Sequence, residues 1–480
     1  MNQTADGETK DLATTLPPRY RWLKRLAAGL GLFFALVIVL RMWWGHEADR
    51  RLQAEIDRIQ AAGEPLFPED FNPTEEIPKE DNAALALIKA FEAYDTTYEA
   101  KDFPAPILMT DEDWALIAQG VADNAETLAL VRSARSMAGL DWGLRFGSPA
   151  IYIPLPQLSP QRHLARMLAR FSAYYHHIGD DAAAVELLRD VLHQAELVQE
   201  PPMIISYLVG VACSTLTIRT VEFMTPDLAV GGALGASREQ VRALIDDLLD
   251  DQIPRREFRR AMYGERMFQL DCVQQISEGN ISSAALMTIG GGGVPPGVGV
   301  FDFLFRPMML LDGERMLQHM RQMIEACDRP TWPTAREIVD VLEVVAEQVH
   351  VGLERVRRPI SAVMLPSLAR AVQMHYLGLA ERRMAAVALA LRLYELDHGR
   401  RPRELADLVP DYLPAVPLDP MAANDRPIFY LANAKQPILY SIGENGTDDG
   451  GAYVIDAKGR LQRGKSDLVF YLDGHRPQPQ

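Results

Sequence analysis

The chain has 480 residues and a formal net charge of −16, with 49 Lys and Arg against 65 Asp and Glu. That acidity excludes a nucleic-acid binder, which needs a basic face, and an electrostatic hold on an anionic membrane surface. The length suffices for one large domain or for two to three smaller ones.

Residues 1–21 are polar through Pro17-Pro18 and read as a disordered tail. The run Leu26 to Leu40, LAAGLGLFFALVIVL, carries no charge and is framed by Arg19, Arg21, Lys24 and Arg25 before it and by Arg41, Trp43 and Trp44 after it. It is shorter than the roughly 20 residues that cross a hydrocarbon core. Snorkelling of Lys24, Arg25 and Arg41, with Trp22, Trp43 and Trp44 at the two interfaces, extends the usable span to residues 22–44. A cleaved signal needs small residues after its apolar region, and Arg-Met-Trp-Trp-Gly-His supplies none at the first four positions. A buried core helix does not account for a basic collar and an aromatic edge together. The segment therefore reads as an uncleaved signal anchor in contact with the lipid bilayer. The basic residues ahead of it favour a cytoplasmic N-terminus, a bias opposed by Arg41, Arg50 and Arg51, so the expectation is a single-pass inner-membrane protein with its body in the periplasm.

Residues 45–80 form a stalk and connector. Leu52, Ile56 and Ile59 stand at helical spacing, and Pro65, Pro68, Pro73 and Pro78 then impose an extended path. The body, residues 81–384, reads as helix after helix. Asp81 is a candidate cap for a helix carrying Leu85, Ile88 and Phe91, and Thr110 to Asp113 opens the next. Residues 160–178 and 182–198 make a hairpin turned at Gly179-Asp180-Asp181, with small residues at Ala173 and Ala182 to Ala184 for close approach. This hairpin resembles one unit of a tetratricopeptide-type repeat, without a continuing 34-residue period. Further helices are expected over 203–224, 237–251, 255–278, 312–326, 334–355 and 366–398.

Several motifs suggest chemistry and do not carry it. Gly290 to Gly293 lacks the Gly-Lys-Ser/Thr ending of a phosphate loop, and Pro295-Pro296 bars a helix from opening there. His176 and His177 are adjacent and diverge on a helix, so they do not share a metal unaided. Met308, Met309, Met316, Met320 and Met323 suit a pliable core. Cys213, Cys272 and Cys327 are widely spaced in apolar contexts and read as buried thiols, since no CxxC or zinc spacing exists. No catalytic motif appears.

The segment from Leu389, LALRLYELDHGRRPRELADLVPDYLPAVPLDP, followed by RPIFYLANAKQPILYSIGENGTDDGG, is different in kind. Gly399 ends a helix, Pro402 opens a short one, prolines from Pro410 to Pro420 hold an extended crossing, and strands are expected at 427–431, 438–442, 453–455 and 468–472. Residues 385–456 resemble the segment that follows the long helix in type II secretion major pseudopilins. That resemblance implies a small α+β module over 385–480 and a calcium site in the turn after the matched strand, at Asn445, Asp448 and Asp449 with Asp456 assisting. The chain departs from that family at its start: no acidic residue lies within Leu26 to Leu40, and no Gly-Phe processing site precedes them. Polymerisation as a pseudopilin is therefore not expected.

The expected fold is mainly α: one transmembrane helix, a large helical-hairpin body and a small α+β terminus with a short antiparallel sheet. The expected role is a membrane-anchored extracytoplasmic scaffold or interaction protein of the bacterial envelope, engaging protein partners and no nucleic acid. The alternatives are a non-polymerising accessory component of a type II secretion or pilus-like system, and an enzyme with a cleft in the helical body near His163, His176 and His177.

Overall fold

A computed structural model describes residues 20–100, 102–282, 302–350, 358–432, 434–455, 462, 466–474 and 476. Most of the expected tail, the Gly290 to Gly293 loop and Asp456 lie outside them. Among these residues the chain is mainly helical with one small antiparallel sheet.

Helix α1 runs unbroken over Arg21–Ala61. Its first half is exposed, including Trp22, Phe33, Phe34, Leu40 and Trp43. In its second half Ala48, Leu52, Ile56 and Ile59 are buried against α9 (Gln252–Glu278) and α10 (Asp302–Cys327), in a core with Leu270, Val273, Met309 and Met316. The expected stalk is thus part of the body, because its apolar stripe has a matching face to cover. The connector is fixed too. A short 3-10 turn, Pro68–Phe71, follows α1. The fully buried Arg266 of α9 donates to Glu64 (2.5 Å) and to the Pro65 carbonyl (2.9 Å). Asn72 exchanges side-chain bonds with the Phe146 backbone at 2.7 and 2.9 Å.

The body begins with α2 (Ala83–Glu92), α3 (Asp111–Asp123) and α4 (Ala125–Ala134). The cap of α2 is Asn82 and not Asp81: its side chain accepts from the Ala84 amide at 3.1 Å while its amide group reaches the Asp141 carbonyl. An Asn does both because it carries donor and acceptor; an Asp carries acceptors only. Thr110 caps α3 in a reciprocal box with Asp113, as its sequence suggests. The hairpin is present as α5 (Leu158–His177) and α6 (Asp181–Gln199), with Asp180 accepting from the Ala183 amide. Ala165, Leu168, Phe171, Val191 and Ala195 bury its interior with α2 and α3.

Next come α7 (Ile204–Met224), α8 (Arg238–Leu249), α11 (Trp332–His350) and α12 (Pro359–His398). Helix α12 begins seven residues earlier than its periodicity suggests and closes at Gly399, which adopts the left-handed conformation (φ 67°). Met309, Met316, Met320 and Met323 are buried, Met308 is half-buried, and the three cysteines are free and buried.

The sheet has the order β1 (Phe429–Leu431), β2 (Ile438–Ser441), β3 (Leu468–Tyr471), all antiparallel, with Phe429 opposite Tyr440 and Leu439 opposite Phe470. Residues 453–455 add no strand to the sheet among the described residues, although Ile455 stands in a β-bridge and the Val454 amide donates to the Ser466 hydroxyl at 2.9 Å. Alternate side chains serve two interiors, as strand geometry dictates. Leu439 and Phe470 join the core of α6, α7, α8 and α12, while Ile438, Tyr440, Val469 and Tyr471 pack with Phe429 and Tyr453. The buried Glu222 of α7 locks the sheet down, accepting from the Tyr471 amide at 2.8 Å and from the Arg476 guanidinium at 2.9 Å.

Candidate functional site

A cleft of about 440 Å³ lies between α7, α12 and the turn after β2, touching both the helical body and the sheet. Helix α7 supplies Leu208, Val211 and Thr215, α12 supplies Met374, Leu377 and Gly378, and Gly443, Asp467 and Leu468 close the far side. The sequence folds this way because both helices are apolar with small residues where they approach. Gly378 of α12 sits against Val211 of α7, where a Cβ would lie 3.5 Å from the Val211 side chain, and Gly210 lets the other side of α7 close on α6, where a Cβ would lie 2.6 Å from the Ala195 carbonyl oxygen. The turn itself needs glycine. Gly443 has φ 65°, and a Cβ there would lie 2.6 Å from the Ser466 carbonyl oxygen.

The cleft's polar groups are paired at its rim. Thr215 donates to Glu381 at 3.3 Å, Arg219 stands 3.6 Å from the same carboxylate, and Arg370 bonds Glu444 at 3.0 Å. Asp467 is buried under the turn and accepts from the Gly451 amide (2.7 Å) and the Asp449 amide (3.3 Å). Burial pushes its carboxyl above the ordinary range despite those two N–H groups, and the nearby Asp449 and Asp448 charges add to the rise.

Behind the cleft, sharing Val211, Thr215 and Gly378 with it, lies a void of about 20 Å³ lined also by Gln199, Tyr207, His375 and Arg382. His375 is stacked on Phe258 and bonded through Nδ1 to the Tyr207 hydroxyl at 2.5 Å. Burial, with Arg255 adding to it, holds this imidazole well below its usual pKa, so it is neutral. With Tyr207 donating, the hydrogen-bond network assigns the ring proton to Nε2. Nε2 and the Gln199 Oε1 are buried with no partner among the described residues. A donor and an acceptor thus stand beneath an apolar slot, a pattern suited to binding.

The turn residues singled out from the sequence are only partly brought together. Asn445 donates to Asp449 at 2.7 Å, and its carbonyl oxygen accepts from the Thr447 amide. Asp448 points elsewhere: it accepts from Tyr440 (3.1 Å) and the Gly450 amide, and its other oxygen stands 3.8 Å from Arg426. Among the described residues no group of three or more His, Cys, Asp or Glu converges as metal ligands. His163, His176 and His177 do not meet either. His163 stacks on Phe91, His177 on Trp114, and His176 bridges Asp181 (2.6 Å) and Asp227 (3.1 Å).

A second cleft of about 440 Å³ lies between the Pro65 to Thr74 connector and Trp142, with the Arg260–Glu200 pair at 2.8 Å on its wall. Sequence reasoning missed the α7–α12 cleft. The available signal was polar residues inside apolar helices: Thr215 and Arg219 in α7, His375 and Glu381 in α12.

Among the described residues two helices are long and apolar enough to cross a membrane. α7 is mostly buried in the body, whereas the apolar window of α1 is not buried at all. These features define a class: a mainly helical protein with an exposed apolar N-terminal helix and a small sheet docked on its core. No family model matches the chain, and neither a curated protein nor a solved structure does.

Proposed function

We propose that this is a membrane-tethered scaffold or interaction protein, anchored through residues 22–44, with its body in the periplasm and the α7–α12 cleft as the surface that engages a partner. The observation that carries the reading is the division of α1. One unbroken helix has an exposed apolar half about 35 Å long and a second half built into the core. Such a helix joins a bilayer to the body without a flexible joint. The turn beside the cleft is the proposed calcium position, with Asn445 and Asp449 as first ligands and Asp448 recruited from Tyr440. Calcium titration of the full chain, with heat lost in a D449N variant, supports that role; no heat from the unaltered chain removes it.

Carbonate extraction and protease protection on intact cells, with affinity capture from the same membranes, test the main reading. Retention in the membrane with a protected tail and a body cleaved only after the outer barrier is opened supports it. Capture of secretion components, lost on deleting residues 385–480, moves the role to an accessory of that machinery. A body cleaved from the cytoplasmic side overturns the topology.

A further inference from the structure

We propose that Phe305, in the first turns of α10, makes a second contact with the bilayer, an apolar one, at the level where α1 leaves it, so that the body sits against the membrane in one orientation. This rests on the anchoring reading and adds a surface to it.

Three observations place the contact. First, Val37, Leu40, Trp43 and Trp44 of α1 form, with Phe305 of α10, a groove of about 470 Å³ in which Arg41 is the one charged lining residue among those described. Phe305 is 38% exposed there. Second, the two helices close on one another immediately beyond it: a Cβ on Gly45 would lie 4.0 Å from Pro307. Phe305 is thereby held beside the last turns of the exposed apolar stretch. Third, the polarity changes sharply one step outward. Arg306 reaches Asp49 at 3.4 Å, and Glu47 pairs with Arg50 and Arg51 at 2.8–2.9 Å. Aromatic residues and arginine at one level with ion pairs just outside are the pattern of a membrane–water interface.

The occupant is the bilayer because the groove is walled by the anchor helix itself. Anything that covers it must lie at the depth of Val37 to Trp44, and the exposed surface is continuous with Leu36, Ile38 and Val39. The acidity that rules out electrostatic adhesion does not oppose this contact, which is local and apolar.

The test is spin-label accessibility in the full-length protein, reconstituted in phosphatidylcholine vesicles containing phosphatidylglycerol. Single labels go at F305C, at W43C and at Y152C, the last on a residue 71% exposed on the body. The three native cysteines are buried and leave the introduced one as the reactive site. The expected result is a label at 305 that, like the one at 43, is relaxed by oxygen more than by a water-soluble nickel chelate, with the reverse at 152. A nickel-exposed 305 beside a lipid-exposed 43 overturns the second contact and leaves the anchor standing. A nickel-exposed 43 overturns the anchor. A label at 305 shielded from both reagents means protein covers the groove, and it overturns the bilayer as occupant. Photocrosslinking from p-benzoylphenylalanine at 305, which keeps an aromatic ring, reads the same point: lipid adducts are expected, and adducts to protein alone count against the proposal.

Discussion

His176 and Glu265 both hold a proton more tightly in the folded chain than in the unfolded one, the first as a cation and the second as a neutral acid. Burial alone lowers the His176 pKa, but the bond to Asp181 and the charges of Asp181 and Asp227 outweigh it and hold the ring above its usual 6.5. The folded state therefore binds this proton more tightly than the unfolded one. Its contribution is fully present below pH 6.5 and is lost as pH rises through the raised value. Glu265 is buried with Gln269 as its hydrogen-bond partner at 3.3 Å, and burial pushes its carboxyl up to about 7. Between pH 4.5 and 7 the unfolded chain ionises while the folded one does not, so stability falls across that window and levels off above it. Thermal melts of detergent-solubilised full-length protein against pH check both. H176Q is expected to lose about 2 kcal/mol at pH 6, the worth of a charge-assisted bond, and progressively less at higher pH. E265Q is expected to gain roughly 3 kcal/mol at pH 8 and little at pH 4, the free-energy equivalent of that displacement.

At the scale of elements, close helix packing depends on places where a side chain is missing. A Cβ on Gly264 of α9 would lie 1.5 Å from the Pro202 carbonyl oxygen, so the Pro201-Pro202 turn into α7 packs directly on the α9 backbone. Because the clash is with backbone, no rotamer relieves it. G264A is expected to destabilise by about 3 kcal/mol, the upper part of the overpacking range, as a lowered melting temperature, whereas G279A at the end of α9 meets no atom within 4 Å and pays only for its left-handed φ. Elements of this kind divide into legible and illegible. Thr110 to Asp113, Asp180 and Gly399 announce helix ends because capping is decided by neighbours in sequence. The mainly helical class and three of the four expected strands were legible for the same reason. Asn82 was not, since its second bond goes to Asp141, 59 residues away. The site was still less legible. Asn445 and Asp449 stand in one turn and could be read, but Asp467 beneath them, and His375 and Gln199 beneath the cleft, are joined only by tertiary packing.

For the whole molecule, the decisive fact is that α1 has one exposed apolar half and one half built into the core. Its sequence changes character near Trp44, from an uninterrupted apolar surface to a stripe of Ala48, Leu52, Ile56 and Ile59 spaced three and four apart. Read alone, that stripe fits a free stalk; with α9 and α10 present it is one side of a core. The two halves should therefore separate on truncation. Removing residues 1–44 deletes the exposed apolar stretch, which touches the body at the Phe305 groove, and the remaining chain is expected to be soluble without detergent and to melt close to the temperature of the full-length protein. Removing residues 1–61 also takes out Leu52, Ile56 and Ile59, each worth about 1.5–3 kcal/mol when buried, and uncovers Met309, Leu310 and Met316. The loss, on the order of 5 kcal/mol or more, is comparable to the whole stability of a domain, so the shorter chain is expected to aggregate or to melt far lower. Comparing the two by light scattering and thermal melting decides the matter. Equal behaviour would mean that the second half of α1 is only a spacer, and the body would then be free to swing on its anchor.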